Sequence, residues 1–263
     1  MNMDYKLDKV LQEYKKFKQV KAIAIGGSVS AKTFDESSDI DVYVFTSENL
    51  PVNFREELVK KFSSKYEVGG EYFGAGDEFF VDELNIQLDV MFWDVNWFEN
   101  TVNNIWEKFY PSNGYTTCFL HTLNIFDVVY DPDNWLTTLK NKLHTEYPEK
   151  LQKNIIKRNL MLLKDKPFAS YYQQIEKAIQ RNDNVSVNHR ISAFLASYFD
   201  IIFAMNKLLH PGEKRLIKYC EANCSILPEN FEENINNLLC GQNQNILSIL
   251  DDMIKKLKDV LYL

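Results

Sequence analysis

The stretch AIAIGGSVSAKTFDESSDIDVYVF, residues 22 to 45, constrains the fold more than any other part of this 263-residue chain. An apolar run ends in Gly26-Gly27-Ser28, ten unpatterned residues follow, and Asp39-Ile40-Asp41 then opens a second apolar run. Residues 20–25 (VKAIAI) and 40–45 (IDVYVF) are short and rich in β-branched and aromatic types, which marks them as strands. Side chains two apart along a strand share a face. Asp39 and Asp41 therefore point together, while Ile40, Val42 and Val44 point the other way and can bury. A strand that only fills a core has no use for two carboxylates at its entrance. They repel one another unless a cation lies between them. Hard divalent cations such as Mg²⁺ take oxygen ligands and share them with substrate phosphates.

A third strand is expected over residues 85–93 (NIQLDVMFW), where Asp89 stands between Leu88 and Val90. If the strands are neighbours, Asp39, Asp41 and Asp89 converge. The glycines after the first strand let the backbone turn sharply and approach a ligand. A small hydroxyl and backbone N–H groups at a helix start would make a phosphate cradle there. Metal-binding carboxylates beside a phosphate cradle point to phosphoryl or nucleotidyl transfer. Taken singly, a Gly-Gly-Ser is a turn and an Asp-x-Asp is a solvated strand end. The ordered set of motifs carries the reading.

The rest of the chain supplies the frame. Residues 4 to 19 have helical spacing, and Pro51 opens a further helix in VNFREELVKKFSSKY. Gly69-Gly70 and Gly74-Ala75-Gly76 mark a turn-rich stretch, in which Glu71, Asp77 and Glu78 read as loop acids rather than as contacts for a cationic acceptor. After FDVVYDPDNW the composition shifts. A helix is expected from about Trp135, and helical periods run over roughly 149–163, 168–181, 188–209, 212–223 and 243–261. The expected organisation is a domain over residues 1–130 with an α+β fold, followed by an all-α helical bundle over residues 131–263.

GGSVSAKTFDESSDIDVYVF resembles the signature of the DNA polymerase beta nucleotidyltransferase superfamily, and the resemblance covers about the first 95 residues. It implies a nucleotidyltransferase-type mixed sheet with flanking helices. It also implies that Gly27 and Ser28 contact a triphosphate, that Asp39 and Asp41 bind Mg²⁺ (two ions in all), and that Asp89 is the third carboxylate. Many members carry glycine four residues after the serine, where this chain has Lys32. That lysine either neutralises phosphate charge or sits in an exposed loop. RISAFLASYFDIIFAMNKLLHPGEKR, residues 190–215, is similar to the helical bundles of bacterial antibiotic nucleotidyltransferases, and more closely to an uncharacterised helical family attached to such domains.

The helix over 188–209 is apolar nearly all round yet carries Asp200, Asn206 and Lys207. Asp200 reads as an internal, satisfied charge or as a cleft residue. Lys214 and Arg215 follow, and Lys214 is the best candidate for a triphosphate contact from the second domain, across a cleft between the halves. The expected activity is Mg²⁺-dependent transfer of a nucleoside monophosphate from a nucleoside triphosphate to a hydroxyl of a small-molecule acceptor, aminoglycoside-like or lincosamide-like, with release of pyrophosphate. A protein side chain or RNA end as acceptor, and a non-catalytic nucleotide-binding module, are the alternatives. The net charge, 30 minus 37 or −7, fits a cationic acceptor and disfavours nucleic acid.

No apolar run reaches membrane-spanning length, and MNMDYKLDKV lacks a signal-peptide core. The four cysteines (118, 220, 224 and 240) have no zinc spacing and read as free thiols of a cytoplasmic protein.

Overall fold

The computed structural model describes residues 3–27, 39–72, 74–166, 168–240 and 243–261. The chain forms two compact units, each built from two segments. The first comprises residues 1–103 and 122–145, and the second residues 104–121 and 146–263. A division at residue 130 follows the change in composition. Among the packing units, residues 104–121 group with the second and residues 122–145 with the first.

The first unit is built on a six-stranded mixed sheet: β1 (Val20–Ile25), β2 (Ile40–Thr46), β3 (Tyr66–Gly70), β4 (Gly76–Val81), β5 (Ile86–Asp94) and β6 (Asp127–Tyr130), in the order β3-β4-β5-β2-β1-β6. Only the central pair β2–β5 is parallel, and the other neighbours run antiparallel. Two of these strands come from the stretch read as glycine-rich turns. Asp77 and Glu78 lie in β4, not in a loop.

One face of the sheet carries Ile40, Val42 and Val44 of β2, Leu88 and Val90 of β5, and Phe79 and Val81 of β4. These side chains pack with Leu7, Val10, Leu11 and Tyr14 of α1 (Met3–Lys15) and with Leu58 and Val59 of α2 (Val52–Val59). Asp77 points into this apolar face because Arg55 of α2 meets it there, Nη1 to Oδ1 at 2.7 Å, with both side chains buried. Asp77 Oδ1 also accepts from the Gly69 N–H at 2.9 Å. Burial still holds its carboxyl above the usual range, outweighing the Gly69 N–H and the guanidinium.

The opposite face is divided. Toward the C-terminal ends of β2 and β5, Tyr43, Phe45 and Trp93 form an aromatic cluster with Phe98 of α3 (Val95–Trp106), with Phe126 just beyond α4 (Cys118–Ile125), and with Trp135 of α5 (Trp135–Lys142). Such rings fill the space between sheet and helices with edge-to-face contacts. Toward the N-terminal ends of the same strands the face is acidic.

In the second unit, α6 (Glu149–Leu160) runs into a π-helical turn (Met161–Asp165). It is followed by α7 (Tyr171–Gln180), α8 (Asn184–Met205), α9 (Leu216–Asn223), α10 (Phe231–Cys240) and α11 (Asn243–Leu261). The Asp183 side chain caps α8 by accepting from the Ser186 N–H at 3.0 Å, which starts the helix one turn before the expected residue 188. Helix α8 is the central element of this unit. Phe194, Tyr198, Ile201, Ile202 and Phe203 are all buried in its core. No helix among the described residues is long and apolar enough to cross a membrane.

Candidate active site

The site grows from the pairing of β2 with β5. Their register sets Ile40 opposite Leu88, Asp41 opposite Asp89 and Val42 opposite Val90. Paired residues on neighbouring strands project to the same face, so the two carboxylates stand side by side. Pairing continues outward. Glu78 of β4 lies opposite Asp89, and Glu67 of β3 lies opposite Glu78. Four adjacent strands thus each contribute one carboxylate to a single row. Asp39, two residues before Asp41, is exposed just ahead of β2, which begins at Ile40.

The glycine pair has two separate jobs. Gly26 donates its N–H to the Asp41 carbonyl at 2.9 Å, which continues the β1–β2 pairing past the strand end. A Cβ on Gly26 would come within 2.6 Å of the Tyr43 ring. Gly27 has φ +67°, and a Cβ there would lie 1.7 Å from Asp41 Oδ2. Only glycine both adopts this backbone freely and leaves room for the carboxylate. The Gly-Gly turn is thereby folded directly onto Asp41. The charge of Asp41, after burial itself, also holds the Tyr43 phenol above its usual pKa. Ser28 and Lys32, the other residues expected at the phosphates, lie outside the described residues.

Asp89 is positioned by its own strand. Gln87, two residues earlier on the same face, donates Nε2–H to Asp89 Oδ1 at 2.9 Å. A cavity of about 520 Å³ opens over this region, lined among others by Asp41, Asp89, Glu78, Glu67, Tyr72 and Met91. That volume lies in the range of small-molecule sites. Glu78 and Glu67 are the lining acids missed in the sequence. The signal was present, because Glu78 alternates with the buried Phe79 and Asp77, but the flanking glycines disguised the strand.

Among the described residues, no group of three or more His, Cys, Asp or Glu side chains encloses a metal by itself. Mg²⁺ does not require such a cage, since one or two carboxylates together with substrate phosphates suffice. Asp41 beside Asp89 offers carboxylate oxygens of that kind.

The residues singled out in the helical unit have other surroundings. Asp200 is buried, and its carboxylate accepts three hydrogen bonds. Thr116 N–H donates to Oδ1 at 3.0 Å, Thr116 Oγ1–H to Oδ2 at 2.6 Å, and Asn159 Nδ2–H to Oδ2 at 3.0 Å. Burial nevertheless pushes its pKa up to about 6. Asp200 is therefore the internal, satisfied charge of the two readings. Asn206 serves chain geometry, accepting from the Ile226 N–H at 2.8 Å and donating to the Ile202 and Ile226 carbonyls. Lys207 pairs with Glu146 at 3.7 Å. Lys214 is exposed in the turn before α9, which starts at Leu216 rather than at residue 212.

Residues 7–105 match the family model described as a nucleotidyltransferase domain, and residues 118–216 match one described as a domain of unknown function, DUF4037. No curated protein sequence matches the chain. Among solved structures, a nucleotidyltransferase-like protein from Exiguobacterium sibiricum superposes with a TM-score of 0.50 at 10% identity, covering 98% of this chain and 75% of that one. At that identity the likeness shows the fold alone. A spectinomycin adenyltransferase from Enterococcus faecialis, solved with ATP and spectinomycin, gives a TM-score of 0.32 at 15% identity over 97% of both chains, too low a score to carry an argument. Residues 7–105 thus carry the match to a nucleotidyltransferase domain, and residues 118–216 carry the match to a domain of unknown function.

Proposed function

We propose that the protein transfers a nucleoside monophosphate from a nucleoside triphosphate to a hydroxyl of a small-molecule acceptor, releasing pyrophosphate. The observation that carries this reading is the placement of Asp41 beside Asp89, with Gly27 packed directly against the Asp41 carboxylate. In this reading Asp39, Asp41 and Asp89 hold divalent cations, two Mg²⁺ ions as in a two-metal site. When bound, such ions neutralise charge on the triphosphate and on the attacking and leaving oxygens.

The chain's own groups divide the remaining work. The backbone at Gly27, together with the hydroxyl of Ser28, cradles the triphosphate and sets the α-phosphorus over the carboxylates. Asp89 accepts the proton of the acceptor hydroxyl as its oxygen attacks that phosphorus, and the bond to the bridging oxygen of pyrophosphate breaks. Gln87 orients Asp89 by donating to Oδ1, which leaves Oδ2 toward the reacting oxygen. Lys214 is a further proposed nucleotide-binding residue.

The acceptor is proposed to be cationic. Glu78 and Glu67 extend the carboxylate row away from Asp89 along the cavity and supply two further negative charges where a polyamine or aminosugar would lie. An RNA end, a polyanion, would be repelled by the same row.

The test is to incubate the protein with α-labelled nucleoside triphosphates, Mg²⁺ and a panel of acceptors. Aminoglycosides and lincosamides should be included, alongside neutral polyols, RNA and the protein itself. Label should pass to a small cationic hydroxyl compound with one pyrophosphate released per label. Label appearing only on RNA or on protein would reverse the acceptor assignment, and no label on any acceptor would count against transfer.

A further inference from the structure

The helical unit contains a cavity that this reaction does not use. It measures about 410 Å³ and is lined by Asn113, Asn154, Lys157, Arg158, Met161 and Lys166, among others. One wall is the C-terminal half of α6 and the π-helical turn that follows it. The other is the loop at 111–113. Its charge runs against that of the protein as a whole. Residues 149–166 contain six basic and two acidic residues in a chain of net charge −7. Two of those cations are paired, Lys153 with Glu149 and Lys164 with Asp251. The three at the cavity, Lys157, Arg158 and Lys166, make no ion pair among the described residues.

The cavity is also built rather than incidental. Arg158 donates Nε–H to Asn113 Oδ1 at 2.8 Å, which fixes the guanidinium plane and leaves its two terminal amino groups for a ligand. Asn113 in turn sits on a locked loop. Ser112 N–H bonds Thr116 Oγ1 at 2.9 Å, and Gly114 N–H bonds Asn159 Oδ1 at 3.1 Å. Thr116 is held by the buried Asp200 through both its N–H and its hydroxyl. Gly114, at φ +86°, lies so close to α8 that a Cβ on it would come within 2.8 Å of the Ala196 Cβ. A buried carboxylate costs free energy unless its bonds are made. Here they are made to the loop that carries Asn113. The network thus spends its bonds on holding one wall of the cavity still, and a wall held still loses little entropy when a ligand arrives. The opposite wall ends in a π-helical turn, a helix irregularity frequent at functional sites.

We propose that this cavity binds a small phosphorylated ligand of about nucleotide size, with Lys157, Arg158 and Lys166 on its phosphates and Met161 on its apolar part. Three unpaired cations call for a ligand with more than one negative charge. A guanidinium with a fixed plane matches two oxygens of one phosphate. A single-stranded nucleic acid is the poorer fit, because it is bound along an open basic track with stacked aromatic side chains.

The experiment is titration calorimetry of the full-length protein in EDTA, where divalent cations do not assist binding at Asp39, Asp41 and Asp89. The probes are inorganic tripolyphosphate, ATP and a short oligouridylate. The proteins are wild type, Arg158→Ala, Lys166→Ala and Asp41→Asn. Wild type and Asp41→Asn should bind ATP one to one with equal affinity. Arg158→Ala and Lys166→Ala should each bind at least about tenfold more weakly with unchanged melting temperature, and affinity should fall with salt. Three results would each overturn the proposal: no ATP binding in EDTA, ATP affinity that both cation variants leave unchanged, or tighter binding of the oligouridylate than of ATP. Because Asp41→Asn removes transfer without touching this cavity, the failure of either reading is visible apart from the other.

Discussion

Replacing Gly27 with alanine tests how closely the glycine turn and the carboxylate depend on each other. A Cβ at residue 27 would lie 1.7 Å from Asp41 Oδ2. Ordinary non-bonded contact begins at roughly 3.5 Å, so the turn and the carboxylate must separate by well over 1 Å. Two costs follow. The left-handed backbone at φ +67° costs an alanine about 1–2 kcal/mol of stability. The displacement of Asp41, on the proposed chemistry, lowers kcat/KM by about 100-fold, the usual penalty for misplacing a catalytic group by about 1 Å. Gly69→Ala is the control. Gly69 also has positive φ, at +81°, but its Cβ would meet only Val52 methyl carbons, the nearer at 3.3 Å. Both variants should lose comparable stability by thermal melting, and Gly27→Ala alone should lose Mg²⁺-dependent pyrophosphate release. If Gly27→Ala turned over within about threefold of wild type, the reasoning that ties the turn to Asp41 would be refuted.

Asp39→Asn and Asp41→Asn should each abolish transfer, a loss of several kcal/mol of transition-state stabilisation, while melting near wild type, as read by turnover and calorimetry side by side. Lys214→Ala should raise the Michaelis constant for the triphosphate without altering the melting temperature, and unchanged kinetics would leave this lysine as surface charge. Arg55→Ala strands the buried Asp77 and should cost about 3–5 kcal/mol in urea unfolding, whatever the activity does. Asp200 supplies a pH signature. Its native pKa of about 6 stands above the ordinary carboxylate value, so the native state binds the proton more tightly than the unfolded chain. The resulting stability is full below a pH of about 4 and is lost, by about 3 kcal/mol, as pH rises to about 6. Asp200→Asn should remove that slope from stability measured across this range, and a persistent slope would assign it to other groups.

The parts of this arrangement that follow local rules were legible in the chain. Alternation in IDVYVF and NIQLDVMFW marked β2 and β5, and it set Asp41 and Asp89 within those strands. The pairing of those two strands could not be read, because register depends on contacts far apart in sequence. Strands β3 and β4 were hidden for two reasons. Their glycines imitate turns, and Asp77 occupies a buried position that a carboxylate fills only because Arg55, 22 residues earlier, meets it. Glu78, and with it half of the acidic row, was lost for that reason. Helix α10 was overlooked amid its polar residues, although Phe231, Ile235 and Leu238 bury at helical spacing. The role of Asp200 was undecidable from sequence, since its partner Thr116 lies 84 residues away.

The central claim is that Asp41 and Asp89 share a cation with a bound triphosphate. Crystals grown with Mn²⁺ and a non-hydrolysable nucleoside triphosphate test it by anomalous diffraction. The account predicts an anomalous peak at about 2 Å from a carboxylate oxygen of Asp41 and of Asp89, and also from a triphosphate oxygen. A triphosphate bound in the first unit with no metal between it and these two aspartates, or a metal held elsewhere in that unit, would contradict it.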